Sequence, residues 1–316
     1  MAIVNPTPAN ANSVHVDAAL SDFATAYENR EMIADSVCPI IKVDKRSDVF
    51  HKRTRRGSSH IVKDLIGPKS RANETTYETT TGTYIVQDRG LMDVVDYSMS
   101  ANADDALNPE QETVMDIMTK LMLAREVRVA TLLCATGSYA SGSTGAVGGA
   151  IWSNEATGTP IADINGARAA IPPGGPGSKL VAFCALEVWN ALRKHPSVLS
   201  LKGLKEGMLS KDEFASYFEI DQLLVSDAQK DTNNIGQDAS YSRIWTSTVF
   251  GMVRVPVSPS KRSTLFAATF RYGDIQTSTW EEPSLGVIGG KGVRTSFSDD
   301  EVVCQNDMGY LLTGCL

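Results

Sequence analysis

NPEQETVMDIMTKLMLAREVRVATLLCATG, residues 108–137, is the stretch from which the rest of the chain can be ordered. Asn108 stands where a helix cap belongs, Pro109 suits the first helical position, and Gln111 falls where a capping-box partner sits. Nothing interrupts the pattern before Gly137, so the spacing predicts a helix over 109–136, about 28 residues and about 42 Å long at 1.5 Å per residue. Val114, Ile117, Met118, Leu121 and Ala124 form one stripe, and Met115, Met122, Val129 and Leu133 widen it. A helix apolar over so broad an arc is buried on more than one side. Its methionines fit core packing better than a soft binding groove.

Before this helix, residues 46–105 are polar and rich in Thr, Val, Tyr and Ile, with turn chemistry at Arg56-Gly57 and Gly67-Pro68. Thr83–Val86 and Val94–Tyr97 alternate as long hairpin strands do. The charges are segregated: residues 42–71 hold ten Lys/Arg against three Asp, and residues 74–105 hold seven acids against one Arg. Two compatible readings follow. One is a solvated hairpin whose strands attract each other; the other is a protruding loop that lays opposite charges on neighbouring copies. The second reading singles out Lys52, Arg53, Arg55, Arg56, Lys63, Glu74, Glu78 and Asp88 as contacts between copies. Residues 1–45 read as an extended arm with one short helical turn at Leu20, Phe23, Ala24 and Tyr27, ended where Pro39 pushes Cys38 out of helical geometry. Such an arm is expected to find little to pack on within its own domain.

After the helix, 137–160 is a Gly/Ser/Thr-rich loop and 161–171 a short helix, ended by the breaker cluster Pro172-Pro173-Gly174-Gly175-Pro176. That cluster is the clearest domain boundary. Lys179–Cys184 and Gln222–Val225 read as buried strands. They bracket helices that carry Leu186, Trp189 and Leu192, and then Phe214, Tyr217 and Phe218 behind the opening Ser210-Lys211-Asp212-Glu213. Alternation of this kind gives an α/β domain over 177–260. Everything beyond Arg262 alternates as strands that return under the long helix.

With 316 residues, 42% of them apolar, the chain can bury a large core without staples. A net charge of −7 argues against a protein whose main task is gripping phosphates. Five scattered cysteines with no Cys-x-x-Cys pair fit reduced thiols better than a disulfide framework or a zinc site. The amino terminus lacks a signal-peptide pattern, and no apolar run approaches the roughly 20 residues that span a bilayer. The expectation is a soluble protein made in a cytoplasm, without membrane contact.

Catalytic and cofactor patterns are weak. Gly142–Gly149 lacks the Gly-Lys-Ser/Thr ending of a phosphate loop, and Gly286–Gly292 has the wrong spacing for a dinucleotide site, so both read as turns. Ser258 and Lys261 match a bare Ser-x-x-Lys spacing without its companion elements. The four histidines form no metal-binding pair, and His195 reads as a helix-end residue facing carbonyl dipoles. Asp299-Asp300-Glu301 and Asp104-Asp105 read as solvated faces. No catalytic, cofactor or metal residues are assigned, and a hydrolase built on Ser258 and Lys261 is the rival enzyme reading.

The order of parts, together with MIADSVCPIIKVDKRSDVFHK (32–52), IADINGARAAI (161–171), ALEVWNALRKHPSVLSLK (185–202), LSKDEFASYFEIDQLLVSDA (209–228) and RIWTSTV (243–249), resembles the major capsid proteins of tailed phages. The resemblance implies an α+β fold of the Hong Kong 97 type. Its parts would be an N-arm (1–45), an extended E-loop hairpin (46–105), a peripheral domain (106–176) with its spine helix at 109–136, an axial domain (177–260), and closing strands (261–316) that return to the peripheral domain. It further implies assembly into hexamers and pentamers of an icosahedral head around double-stranded DNA, in the virion, after assembly in the host bacterial cytoplasm. A separate scaffolding protein, or a shell needing none, a portal, a decoration protein and non-specific DNA on the inner face would be the partners. An encapsulin-like compartment or another virion component, such as a tail protein, is the structural alternative. Some relatives cross-link a loop lysine to asparagine; Lys63 and Lys69 lie in that region but show no matching signature.

Overall fold

The computed structural model describes residues 15–27, 29, 31–53, 61, 64–74, 79–97, 109–148, 151–174, 177–203, 207–234, 236–260 and 263–316, the His15 and Arg53 side chains excepted. Along the chain the first elements are β1 (His15–Val16), α1 (Ala18–Thr25), α2 (Ala34–Val37), β2 (Ile40–Val43), β3 (Ser47–Arg53), β4 (Thr79–Ile85), β5 (Gln87–Asp96) and α3 (Pro109–Cys134). Then come β6 (Thr144–Ala146), α4 (Pro160–Ala170), β7 (Ser178–Ala185), α5 (Leu186–Leu192), α6 (Pro196–Ser200) and α7 (Lys211–Tyr217). The last are β8 (Gln222–Ser226), β9 (Gln229–Asp231), β10 (Tyr241–Arg243), β11 (Val249–Pro256), β12 (Ala267–Glu282), β13 (Gly290–Val303) and β14 (Gly309–Thr313).

The long helix forms as its spacing predicts, although Asn108, its expected cap, lies outside the described residues. Val114, Ile117, Met118, Leu121, Val129, Ala130 and Leu133 are buried, and so are Arg125 and Glu126. Ala124 and Met115, expected on the apolar stripe, are exposed instead. The first sheet, in the order β1-β12-β13-β5 with β2 also on β12, lies against this helix. Val293 and Phe297 of β13 cluster with Val114, Ile117, Met118 and Leu121 of α3 and with Leu20 and Ala24 of α1. Burial of each such side chain contributes roughly 1.5–3 kcal/mol relative to exposure.

The arm therefore corrects its expectation. β1 pairs antiparallel with Ser278 and Thr279, and β2 runs parallel to β12 from Ile40↔Thr269 to Val43↔Tyr272. Ile33, Ala34, Val37 and Cys38 are buried. The physical reason is the otherwise unpaired backbone edge of β12, which these two short strands satisfy.

The second sheet, ordered β6-β14-β11-β7-β8, is mixed, with β11 antiparallel to both β14 and β7 and β8 parallel to β7. Alternation along β7 and β11 serves two cores. Val181, Phe183, Ala185, Val253 and Val255 face the core shared with the carboxy-terminal half of α3. Leu180, Ala182, Cys184, Phe250 and Met252 face the core of Trp152, Ile164, Trp189, Phe214 and Phe218 from the surrounding loop and helices. Helix α7 starts with the expected capping box between Ser210 and Glu213.

β14, expected among the closing strands that return under the long helix, pairs with β11 and β6 in this second sheet, while its Leu311 buries in the core shared with the carboxy-terminal half of α3. Leu312 and Cys315 bury on its helix-covered side, where they join Trp152 and Phe250. β6 and α4, which precede the expected boundary at 172–176, also belong to this half. His195 caps the start of α6, its Nδ1 accepting from the Ser197 amide at 3.3 Å, rather than closing the helix before it.

Candidate functional site

Three neighbouring features hold what the sequence singled out: the β3–β4 hairpin, the edge of the first sheet, and the seam between that sheet and α3. The hairpin pairs Ser47 with Ile85 through Arg53 with Thr79, seven residue pairs spanning about 23 Å at 3.3 Å per residue. Phe50 and Tyr84 hold its base, their rings 5.1 and 4.6 Å from that of Phe270. Gly82 faces Phe50; a Cβ there would lie 2.7 Å from the ring. Glycine thus admits the aromatic that ties the hairpin down.

Polar anchors finish the base. Arg46 donates to both carboxylate oxygens of Asp88 at 3.0 and 2.7 Å, the Ser298 hydroxyl donates to Asp88 at 2.5 Å, and the Ile85 amide donates to Asp300 at 2.9 Å. The Ser298 hydroxyl and then Arg46 hold the Asp88 carboxyl below its ordinary range. Beyond the base the hairpin loses cover: Ile61 is 92% exposed and Leu65 87%.

The expected attraction between two oppositely charged hairpin strands is absent, because β4 (Thr79–Ile85) carries no charge at all. Asp88, Asp93 and Asp96 fall in β5, which forms the body's sheet edge and pairs with β13 from Gln87↔Asp299 to Asp96↔Gly290, and Asp104 and Asp105 lie outside the described residues. Asp96 of β5 and Glu282 of β12 flank Gly290 of β13 from opposite sides, with Glu281 and Asp93 further along their strands, and Met92 next to Asp93 is exposed.

The predicted contact residues are thus distributed unevenly. Lys52 holds its amine 5.4 Å from the Phe50 ring centre, and Glu74 pairs with Arg71 at 3.4 Å on the exposed loop. Asp88 is engaged within its own chain. Arg53 ends β3. Arg55, Arg56, Lys63 and Glu78 lie outside the described residues.

The seam is what the sequence reading missed. Asp299-Asp300-Glu301 is not a solvated face: alternation along β13 sends Asp299 and Glu301 toward α3 and Asp300 toward the hairpin. Arg128 of the helix grips Glu301 at 2.8 Å and reaches Asp299 at 3.5 Å. Arg89 of β5 donates to Asp299 at 3.0 Å, and Arg271 of β12 stands 3.5 Å from it. Burial, with Glu301 adding to it, raises the Asp299 carboxyl against the pull of these arginines.

Further along the helix, Arg125 pairs with Asp35 and donates to Thr269 at 3.1 Å. Glu126 accepts from the amides of Ile33 and Ala34 at 3.0 and 2.9 Å and from the Trp245 indole at 2.6 Å. Spacing could have revealed Arg125, since Leu121, Arg125 and Val129 share one helical face.

Nothing in this arrangement brings a nucleophile to a base. Ser258 lies in a loop where its carbonyl accepts from Ser263, and Lys261 lies outside the described residues. Gly286 and Gly289 take positive φ in the β12–β13 turn, as turns do. Among the described residues no group of three or more His, Cys, Asp or Glu could hold a metal, and no helix is long and apolar enough to cross a membrane. Burial pushes the Cys38 thiol up to about 11. These side chains are arranged to hold elements together and to present a hairpin.

No family model matches the chain. It is 27% identical over 301 residues to the major capsid protein of Pseudomonas phage JBD67, covering 93% of this chain and 95% of that one. It is 24% identical over 265 residues to the major capsid protein of Burkholderia phage BcepMu, covering 79% and 83%. Among solved structures, a phage-related protein of Bordetella bronchiseptica RB50 superposes with a TM-score of 0.73 at 16% identity, over 96% of this chain and 98% of that one. The capsid of cyanophage P-SCSP1u gives 0.58 at 11% identity, over 91% and 89%. These likenesses extend over nearly the whole chain and show a shared fold.

Proposed function

We propose that this chain is the major capsid subunit of a tailed bacteriophage, with the Hong Kong 97-type fold, and that its work is association with its own copies to build the phage head. The observation that carries this is the hairpin end, where Ile61 and Leu65 stand almost wholly in solvent on a chain that matches phage capsid proteins over nearly its full length. Contiguous exposed apolar surface marks an interaction site, and a repeated copy supplies the partner.

In this reading the chain carries no catalysis. The first sheet with α3 is the peripheral domain and spine helix, the β3–β4 hairpin is the E-loop, and the second sheet with its helices is the axial domain. The axial part then takes in β6, α4 and β14 besides residues 177–260. The subunits form hexamers and pentamers around double-stranded DNA, with a scaffolding protein, a portal and a decoration protein as further partners.

Charge gives the contact a direction. The hairpin and its loop carry Lys52, Arg53, Lys69 and Arg71, with Arg55, Arg56 and Lys63 alongside, and the β5 edge carries Asp93 and Asp96 near Glu281 and Glu282. A basic hairpin laid along the acidic sheet edge of a second copy fixes register and speeds encounter more than it adds affinity. Such pairing weakens with salt, the screening length being about 8 Å at physiological ionic strength.

Negative-stain microscopy of the purified, overexpressed protein tests the reading directly. Shells, tubes or capsomers are the expected result. A monomer at every concentration, with the hairpin folded on its own body, would overturn it. Charge reversal at Arg53, Arg55 and Arg56 is expected to leave soluble subunits or aberrant particles, and normal closed shells would remove the electrostatic part of the proposal.

A further inference from the structure

Residues 31–38 cross the long helix as a short strap, and its fastening is unlike that of the rest of the arm. Two consecutive helix side chains hold it, Glu126 by accepting from two strap amides and Arg125 by pairing with Asp35. Arg125 also reaches the Cys38 carbonyl at 3.4 Å. The Ser226 hydroxyl, on the edge strand β8, donates to the Glu31 carbonyl at 3.2 Å. Beside the strap lies a cavity of about 270 Å³, lined in part by Tyr27, Met32, Met122, Arg125, Glu126 and Leu224. The cavity is open to solvent, and Glu31, Asp35 and Ser36 are exposed while Ile33, Ala34, Val37 and Cys38 are buried, so the strap is packed on one side only.

One oxygen makes this fastening more than local. Oε1 of Glu126 accepts both from the Ile33 amide and from the Trp245 indole. Trp245 lies just before β11 and packs against Phe183 of β7, their ring centres 5.1 Å apart. It therefore belongs to the second sheet, while Ile33 belongs to the arm. A buried carboxylate shared by two donors cannot move toward one without loosening its hold on the other.

We propose that residues 31–38 open and close on the helix as one unit, with Glu126 as the catch, and that this motion is coupled to the Trp245 corner of the second sheet. Opening has somewhere to go, because the cavity admits the displaced backbone and water to satisfy its amides. A pull on the arm is thereby felt in the compact half through a single side chain. This goes beyond the shell-building reading and holds whether or not that reading does.

Hydrogen exchange followed by mass spectrometry on the full chain tests it, with each variant compared with the parent in the same assembly state. Asp35→Asn changes an exposed side chain that touches neither Glu126 nor Trp245. It is expected to speed exchange at least about threefold in residues 31–38 and by a similar factor in residues 241–250, and to leave the β3–β4 hairpin unchanged. Faster exchange confined to 31–38, or no change in either region, would overturn the coupling. Trp245→Phe keeps the ring and removes the indole donor, so the same acceleration should appear in the strap from the opposite end. An unchanged strap in that variant would equally sink the proposal.

Discussion

The hairpin and the second sheet are both built from alternating strands, yet they put that alternation to opposite use. Every apolar residue of β7 and β11 has a buried neighbour on one face or the other, because helices cover one side and α3 covers the other. The hairpin has one covered patch at its base, Phe50 and Tyr84 on Phe270, while Val49 and Ile85 beside that patch and Ile61 and Leu65 beyond it remain exposed. The charges follow the same division. Those on the hairpin and its loop, such as Arg71–Glu74, pair in solvent, where an ion pair contributes little, whereas those on the seam are buried and locked. The half that holds the chain together and the part that reaches outward are thus separable in energy.

That separation can be broken from the stable side first. Phe250→Ala empties a site where Trp152 and Phe214 meet edge-on and is expected to cost about 4 kcal/mol, read as a lowered urea midpoint. Arg125→Ala removes a buried stem and leaves Asp35 and Thr269 without their donor. A loss of about 3 kcal/mol is expected by the same measurement, and a loss below about 1 kcal/mol would show that the strap needs no such clamp.

Acid offers a test with opposite signs in the two places. Asp88 is held below the ordinary value of 3.8, so its contribution is full above that value and is lost as pH falls through its lowered folded value. Asp299 is raised by burial, so its charged form opposes folding, and stability recovers as pH falls through its raised value toward 3.8. Denaturation of Asp88→Asn between pH 7 and 3 should therefore show a shallower acid decline than the parent, and Asp299→Asn a steeper one. The smallest effect on the fold belongs to Ile61→Ser with Leu65→Ser, within about 0.5 kcal/mol of the parent, while particle yield in electron micrographs falls sharply. Normal particles from that double variant would detach assembly from the hairpin end.

Much of the fold was legible because periodicity reports which face of an element is buried. The long helix, the α7 capping box and the strands at 179–184 and 222–225 all follow from it. What periodicity does not report is the partner. The sequence after residue 74 reads as the acidic return leg of a hairpin, but the uncharged run 79–85 takes that place and the acids join β13. Likewise β14 alternates as β12 and β13 do, and only the covered side for Leu312 and Cys315 sends it to the other sheet. At the site, charge segregation singles out Lys52 and Glu74, which lie on the hairpin and its loop, whereas it passes over Arg125, Glu126 and Asp299 because charged residues are read as solvated. Helical spacing marks the buried face on which Arg125 sits, but the partners that hold these three residues lie 28 or more positions away in the chain, and no local pattern names them.

The acidic triplet of β13 has one more consequence. A strand offset by a single position exchanges its two faces. Over the first half of β13 that would take Val293 and Phe297 out of the core they share with α3, and at 299–301 it would turn two carboxylates away from Arg89, Arg128 and Arg271 and leave three cations facing one acid. Misaligned pairings are thus penalised at both ends of the strand, by lost burial at one and by unpaired charge at the other, so the acidic triplet acts as a second proofreading mark for the sheet on which the hairpin is mounted.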